Sequence, residues 1–159
     1  MTGSDLSSPE DVERFVSDVE GAKEISSLSM IVFDTLARSM SGDENSVQDI
    51  SRVIKSIDTL RDALDCAVLL IHHSGKDTSR GMRGSNALSG AADSVLRMVR
   101  RQQEDDEEEI FVVTVEKQRD AEHGRKLYFR QEKVCPGADP LNLDLPASTV
   151  LKRVDVSGL

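Results

Sequence analysis

Aromatic residues make up only 3% of this 159-residue sequence, and tryptophan is absent. Any buried core must therefore be mainly aliphatic. The two cysteines, Cys66 and Cys135, are too few for a disulfide framework, which fits a reduced, cytoplasmic setting. The longest apolar run, residues 67–71, is far too short to cross a membrane, and no stretch has the pattern of a signal peptide.

Basic residues are in the minority: 20 lysines and arginines stand against 29 acidic residues, and the net charge is −9. This excess argues against a protein that coats nucleic acid through bulk charge. Much of the excess is local, because residues 104–109 read EDDEEE, which we interpret as a solvated hairpin tip. Contact with DNA would have to come from a local basic loop. The length suits one domain with a sizeable core.

Apolar periodicity predicts an α/β protein. Helices are predicted at residues 7–24, 47–64 and 85–92, and strands at residues 28–33, 67–72, 94–99, 110–115 and 126–131. The first two strands are continuously apolar and flank an amphipathic helix, which is the pattern of a right-handed βαβ unit in a parallel sheet. The last two strands are predicted to form an antiparallel C-terminal hairpin. Ser8 is the predicted N-cap of the first helix, and Ser46 or Asn45 that of the second.

Polar side chains follow three of the predicted strands. Asp34 ends the first strand, His72 and His73 end the second, and Lys117 and Arg119 end a later one. Ligands of open parallel sheets bind beyond the carboxyl ends of the strands. We therefore expect an acid, two imidazoles and two cations at one edge of the sheet.

Asp34 follows the residues MIVF, and this arrangement has the form of a Walker B motif. A carboxylate in this position orders Mg²⁺ through its water shell, and the metal neutralises nucleotide phosphates. Asp34 and the adjacent Thr35 are therefore candidate nucleotide-binding residues, with Asp34 as the water-mediated magnesium ligand. An N-cap or an ordinary polar strand end is the alternative interpretation of Asp34.

The segment His72-His73-Ser74 can place hydrogen-bonding groups against a γ-phosphate and report whether it is present. The alternative is a satisfied inward histidine at position 72 and a surface histidine at position 73. A metal centre is not expected, because His123 is the only other histidine and the cysteines lie at no recognised ligand spacing.

Two sets of cations are candidates for contact with anions. Lys117 and Arg119 lie two residues apart on one side of an extended segment, and can reach across a subunit boundary to a transferring phosphoryl group. A charged hairpin end is the alternative. Lys76, Arg80 and Arg83 lie in a glycine-bearing loop that suits DNA contact, phosphate contact or plain solvent exposure.

Three stretches together resemble the RecA-like hexameric ATPases. They are IVFDTLARSMSGDENS, VLLIHHSGKDTSRGMRGSNALSGAADSVLRM and VTVEKQRDAEHGRKLYF, in the order expected for that family. The nearest resemblance is to the plasmid RepA-type helicases and the AAA-family ATPases of phage and plasmid replication modules. The resemblance covers roughly residues 9–129, and it implies a partial RecA-like domain over residues 9–133. Residues 1–8 are then expected to be a disordered start, and residues 134–159 an irregular tail.

The resemblance implies a role for each candidate residue. Asp34 matches the Walker B aspartate, and His72, His73 and Ser74 match the segment that senses the γ-phosphate. The loop with Lys76, Arg80 and Arg83 matches the loop implicated in single-stranded DNA contact. Lys117 and Arg119 match the lysine and arginine finger that one subunit supplies to its neighbour's ATP. The implied cofactors are ATP and Mg²⁺, and the implied partners are RecA-like subunits in a homo- or hetero-oligomer.

The sequence does not contain the P-loop GxxxxGK(S/T) that such an ATPase needs to cradle phosphates. Only Gly75 precedes a lysine, and Asp77 and Leu70 break the motif at both ends. No glycine-rich strand–turn–helix precedes Asp34, and no glutamate of the first helix follows a strand as the catalytic glutamate should.

A truncated gene, a split protein and a degenerate paralogue all explain this absence, and the expected disorder of residues 1–8 fits truncation best. We therefore expect an ATPase-related and helicase-related protein of replication type that does not hydrolyse ATP alone. An interaction module that docks on an intact ATPase subunit is the first alternative. A degenerate DNA-binding or regulatory protein is the second.

Overall fold

The computed structural model describes residues 5–22, 28–73, 86–102, 109–134 and 148–155. The chain forms two compact units, Met1–Ala92 and Asp93–Leu159. This boundary differs from the predicted single domain over residues 9–133. The difference arises because the third strand pairs with later antiparallel strands and not with the parallel pair.

The predicted order of helices and strands is confirmed, and one strand is added at the C-terminal end. The elements are α1 (Pro9–Gly21), β1 (Met30–Asp34), a 3-10 turn (Leu36–Arg38), α2 (Val47–Leu64), β2 (Ala67–Ile71), α3 (Asn86–Ala91), β3 (Ser94–Gln102), β4 (Glu109–Gln118), β5 (Lys126–Val134) and β6 (Ser148–Val154). None of the described helices is long and apolar enough to cross a membrane.

Serine side chains begin both long helices of the first unit. The Ser8 hydroxyl accepts a hydrogen bond from the Asp11 N–H at 3.2 Å, and the Ser46 hydroxyl accepts one from the Asp49 N–H at 3.3 Å. These bonds satisfy N–H groups that the helices leave without a partner in their first turn. Local sequence thus sets where α1 and α2 start, as predicted.

Strands β1 and β2 form a parallel pair joined through α2, which confirms the predicted βαβ unit. The inward residues of β1, Ile31 and Phe33, are buried. They belong to one hydrophobic core with Ile50, Val53 and Leu60 of α2. The continuous apolar run of β1 therefore buries alternate residues against the helices.

The outward residues of the same strands remain exposed. Met30 and Val32 of β1 are 51% and 52% exposed, and Leu69 of β2, opposite Val32, is 40% exposed. Parallel sheets are usually covered on both faces, so their strands are apolar on both sides. This explains why the sequence of β1 does not alternate between apolar and polar residues.

Residues 5–8, part of the segment expected to be a disordered start, contact the rest of the first unit. Leu6 is only 1% exposed and belongs to the core of the first unit. Its N–H donates to the Ser39 carbonyl at 2.7 Å. The Asp5 carboxylate accepts from the N–H groups of Ser7 at 2.7 Å and Ser41 at 3.0 Å. Burial of one leucine and the hydrogen bonds to Ser39 and Ser41 thus hold a segment with no helical or strand pattern.

Asp5 makes the stability of this attachment depend on pH. Burial raises the pKa of Asp5, but hydrogen bonds from Ser41 and Ser7 outweigh that effect and hold the pKa below its ordinary value of 3.8. A carboxylate whose pKa is lowered on folding stabilises the folded state above its unfolded pKa. That stabilisation is lost as the pH falls through the lower, folded pKa.

Replacing Asp5 by asparagine removes the charge but keeps an acceptor oxygen. We expect the wild type to be more stable than this variant at pH 7 by roughly 1 kcal/mol, because a charged acceptor forms the stronger hydrogen bonds. The difference should close as the pH falls below 3.8. Urea unfolding of both proteins between about pH 7 and pH 3 measures it. Asp18→Asn, at an exposed position of α1, is the matched control. A difference that stays constant with pH would contradict the role of Asp5.

The second unit contains a four-stranded antiparallel sheet in the order β3-β4-β5-β6. The predicted hairpin is confirmed, because Ile110 pairs with Arg130 and Thr114 with Lys126. Strand β6 corrects the expectation of a wholly irregular tail over residues 134–159. It pairs with β5 along its whole length, which supplies backbone partners that β5 would lack as an edge strand. Of the acidic run, only Glu109, at the start of β4, lies within the described residues.

Candidate functional site

The carboxyl edge of the β1–β2 pair brings three of the predicted site residues to one place in the fold. Asp34, the last residue of β1, is the register partner of Ile71, the last residue of β2. His72 and His73 follow immediately. In parallel sheets this edge is where ligands bind.

Asp34 is exposed, and within the described part of the chain no hydrogen bond or ion pair occupies its carboxylate. The described residues also hold no group of three histidines, cysteines or acids that would bind a metal directly. A single open carboxylate fits Mg²⁺ held through its water shell, because Mg²⁺ keeps several waters and takes few protein ligands. The role of Asp34 as a water-mediated magnesium ligand stays a prediction from the sequence.

Hydrogen bonds and a buried side chain hold the backbone directly after Asp34. Thr35, whose peptide bond to Asp34 is cis, uses its carbonyl to accept from the Ser39 hydroxyl at 3.0 Å and the Arg38 N–H at 3.0 Å. Leu36, the first residue of the 3-10 turn, is 1% exposed. These contacts fix the direction in which the chain leaves the carboxyl edge.

Glu44 is a residue of this edge that the sequence did not indicate. One of its carboxylate oxygens, Oε2, lies 3.8 Å from Nδ1 of His72. The His72 side chain is only 13% exposed and that of Glu44 is 38% exposed, whereas His73 is exposed. Glu44 lies in a loop and follows no strand, so neither periodicity nor a motif signals it. His72 is thus the inward imidazole of the pair, and it has an acidic neighbour.

Hydrogen bonds within the loop shape the turn that carries Glu44. The Asp43 carboxylate accepts from the backbone N–H of Asn45 at 2.8 Å and from its side-chain amide at 2.9 Å. These bonds lower the pKa of the Asp43 carboxyl. The Asp43 N–H donates to Asp49 Oδ2 at 3.2 Å, and the Ser46 N–H donates to the Asp43 carbonyl at 2.9 Å. The backbone is therefore tied down on both sides of Glu44.

Lys117 and Arg119 belong to the second unit. Lys117 lies within β4, opposite Val95, and Arg119 follows the end of that strand. Arg119 contacts Asp93 twice: its N–H donates to the Asp93 carbonyl at 2.9 Å, and its guanidinium lies 2.6 Å from the Asp93 carboxylate. The side chains of Arg119 and Asp93 are 60% and 51% exposed. An exposed ion pair of this kind contributes little stability, so Arg119 can exchange its partner at small cost.

The remaining predicted site residues lie outside the described part of the chain. They are Ser74, Lys76, Arg80 and Arg83, with the rest of the loop at residues 75–84. Their roles stay predictions from the sequence.

The thiol of Cys66 lies at the other end of β2, in a shallow cleft with Arg61, Asp62 and Asp65. Burial, and the nearby Asp65 carboxylate, raise the pKa of this thiol. The protonated thiol is a poor nucleophile. Cys66 packs partly against the core of the first unit and does not belong to the carboxyl edge.

Comparison with known families bears on the first half of the chain. Residues 2–79 match the family model described as AAA domain. This segment is therefore similar to the AAA domain family. The AAA-related segment contains the whole carboxyl edge with Asp34, Glu44 and His72, whereas Lys117 and Arg119 lie beyond it.

Two further comparisons were made with the whole chain. The comparison with curated proteins gives no match. Among solved structures, the chain is similar to the crystal structure of the RadB recombinase, with a TM-score of 0.44 and 14% sequence identity. The match covers 77% of this chain and 56% of the recombinase chain, so the chain spans little more than half the length of that protein.

Proposed function

We propose that this protein is a RecA-like ATPase relative of the replicative helicase type that acts together with other RecA-like subunits and does not hydrolyse ATP alone. The observation that carries the proposal is the carboxyl edge of the AAA-related segment. There the exposed carboxylate of Asp34 and the largely buried imidazole of His72 lie at the carboxyl ends of adjacent parallel strands. The 159 residues contain no P-loop to complete the site.

Each residue of the carboxyl edge has its own role in this proposal. Asp34 holds hydrated Mg²⁺, and the metal, when bound, neutralises charge on the nucleotide phosphates. His72, with His73 and Ser74, registers the γ-phosphate. Backbone amides that cradle the phosphates must come from elsewhere, since no glycine-rich phosphate loop is present. The loop with Lys76, Arg80 and Arg83 contacts single-stranded DNA in this proposal.

The first test is ATP turnover by the purified chain with Mg²⁺. We expect a rate equal to the blank for the wild type and for Asp34→Ala, because one carboxylate without a phosphate cradle does not assemble the reacting groups. Asp58→Ala, which removes an exposed carboxylate of α2 far from the motif, is the matched control. Turnover by the wild type that Asp34→Ala abolishes and Asp58→Ala retains would show that the chain is an active ATPase.

A role as an interaction module is the second candidate, and the exposed Arg119 favours it. A guanidinium paired with an exposed carboxylate can leave Asp93 for a phosphate oxygen of a neighbouring subunit, where it forms stronger, bidentate hydrogen bonds. Lys117 supplies the second cation. In this role the chain docks on an intact RecA-like ATPase and completes its site in trans.

Mixing the chain with an intact RecA-like ATPase tests this second candidate. We expect the ATPase rate to rise, and Arg119→Ala to reduce the stimulated part by at least about tenfold, since a finger in trans stabilises charge in the transition state. Arg125→Ala, at an exposed position in the same β4–β5 connection, should leave the stimulation intact. An unchanged rate and an unchanged oligomer size on mixing would count against docking.

A further inference from the structure

The contact between Glu44 and His72 joins two parts of the first unit that are separate in sequence. Glu44 lies in the connection between the 3-10 turn and α2, and His72 directly follows β2. Their nearest atoms, Oε2 and Nδ1, are 3.8 Å apart. With 13% of its side chain exposed, His72 is shielded from most of the solvent that would otherwise weaken the attraction.

Hydrogen bonds on both sides of Glu44 hold the backbone from which its side chain extends. Asp43, on one side of Glu44, accepts two hydrogen bonds from Asn45 on the other side. The turn is also joined to the first turn of α2, where Asp49 Oδ2 accepts from the Asp43 N–H. A side chain on such a turn loses little further backbone freedom when it acts on a neighbour. The folded turn therefore places the Glu44 backbone within side-chain reach of His72.

We propose that Glu44 is a positioning residue that orients the imidazole of His72. At 3.8 Å the two atoms are too far apart for a hydrogen bond, so the carboxylate acts through its charge. A negative charge beside Nδ1 favours the tautomer of a neutral imidazole that carries its proton on this nearer nitrogen. Nε2 is then left as the nitrogen that addresses a ligand at the carboxyl edge. A phosphate oxygen at Nε2 requires a second proton on the ring, which solvent water supplies, and the Glu44 carboxylate balances the positive charge that results.

Glu44 orients His72 in this chain whether or not nucleotide is present. The use of the oriented imidazole to sense a γ-phosphate rests on the proposed function. The two can be separated because the tautomer of a histidine is observable without nucleotide. The sequence has three histidines, so His73 and His123 serve as internal references in every spectrum. His73 is the adjacent exposed residue and His123 lies in the second unit.

The experiment records long-range ¹H–¹⁵N spectra of the imidazoles in the full chain. In the wild type we expect the ¹⁵N shifts of His72 to identify a proton on Nδ1. In Glu44→Gln, whose amide can accept or donate, the Nδ1 and Nε2 shifts of His72 should move toward the values of a tautomer mixture. His73 and His123 should not move. Asp58→Asn, which removes an exposed carboxylate of α2, is the control and should leave all three histidines unchanged.

Glu44→Asp provides the second variant, because it keeps the charge and shortens the side chain by one carbon. A His72 spectrum between those of the wild type and Glu44→Gln supports positioning by the carboxylate. If Glu44→Gln and Asp58→Asn give the same His72 spectrum as the wild type, the inference is overturned.

Adding Mg-ATP with an intact RecA-like ATPase tests the proposed function separately. If the His72 spectrum responds to Glu44→Gln but not to nucleotide, the positioning role of Glu44 is supported and the sensing role of His72 is refuted.

Discussion

Replacing Leu60 by alanine is expected to destabilise the first unit by about 2 to 5 kcal/mol. Leu60 is 1% exposed and lies in α2, in the same core as Ile50 and Val53. Truncation removes buried apolar area and leaves a cavity that rigid neighbours cannot fill. Urea unfolding followed by the helical circular dichroism signal measures the change.

Leu69→Ala is the matched control for this prediction. It makes the same chemical change in the same unit, but Leu69 is 40% exposed, on the outward face of β2. We expect a cost below about 1 kcal/mol, because much of this side chain already contacts solvent. A cost for Leu69→Ala as large as that for Leu60→Ala would mean that the outward face of the β1–β2 pair is covered in solution. A cost below about 1 kcal/mol for Leu60→Ala would contradict the assignment of the core.

Replacing Gly42 by alanine is expected to cost about 1 to 3 kcal/mol. Gly42 has a φ of +130°, a conformation that residues with a side chain rarely adopt. An added Cβ would also lie 3.0 Å from Oδ2 of Asp49, the atom that accepts from the Asp43 N–H. The substitution therefore strains the backbone and pushes against the hydrogen bond that joins the turn to α2. The same unfolding measurement reports the cost.

Gly21→Ala separates this local effect from a general effect of adding a methyl group. Gly21 ends α1, and nothing lies within 4 Å of the position that its Cβ would take. We expect a change of no more than about 1 kcal/mol, in the stabilising direction, since alanine is the better helix former. Equal effects at the two glycines would show that the turn at Gly42 does not have the described conformation. The spectrum of His72 in Gly42→Ala adds a second readout, because the same turn carries Glu44.

Local signals explain most of what the sequence predicts correctly. Ser8 and Ser46 cap their helices because a serine before an apolar-periodic segment offers its oxygen to the N–H groups of the next turn. The parallel pairing of β1 and β2 follows from two apolar runs that flank an amphipathic helix. The shared edge of Asp34 and His72 follows from that pairing. The turn at Gly42 is visible as Ser-Gly-Asp between two periodic segments.

Contacts between residues far apart in sequence account for what the prediction missed. Leu6 is buried because it meets the loop at Ser39, 33 positions later, and no periodic pattern marks a single buried leucine in a coil. Strand β6 has little alternation of its own and gains its structure by pairing with β5. The boundary after Ala92 depends on which strands β3 pairs with, and pairing partners leave no trace in the composition of a single strand.

The sequence alone thus determined the α/β class, the βαβ unit, the helix starts and the carboxyl edge that carries Asp34 and His72, because these depend on periodicity and on neighbours within a few residues. Only the tertiary structure decided that Glu44 faces His72 and that Arg119 is paired with Asp93. Each of these contacts joins side chains from two separate connections. The two side chains of each pair meet because the folded strands bring the two connections together. Neither the residue types nor the spacing within one connection predicts that contact.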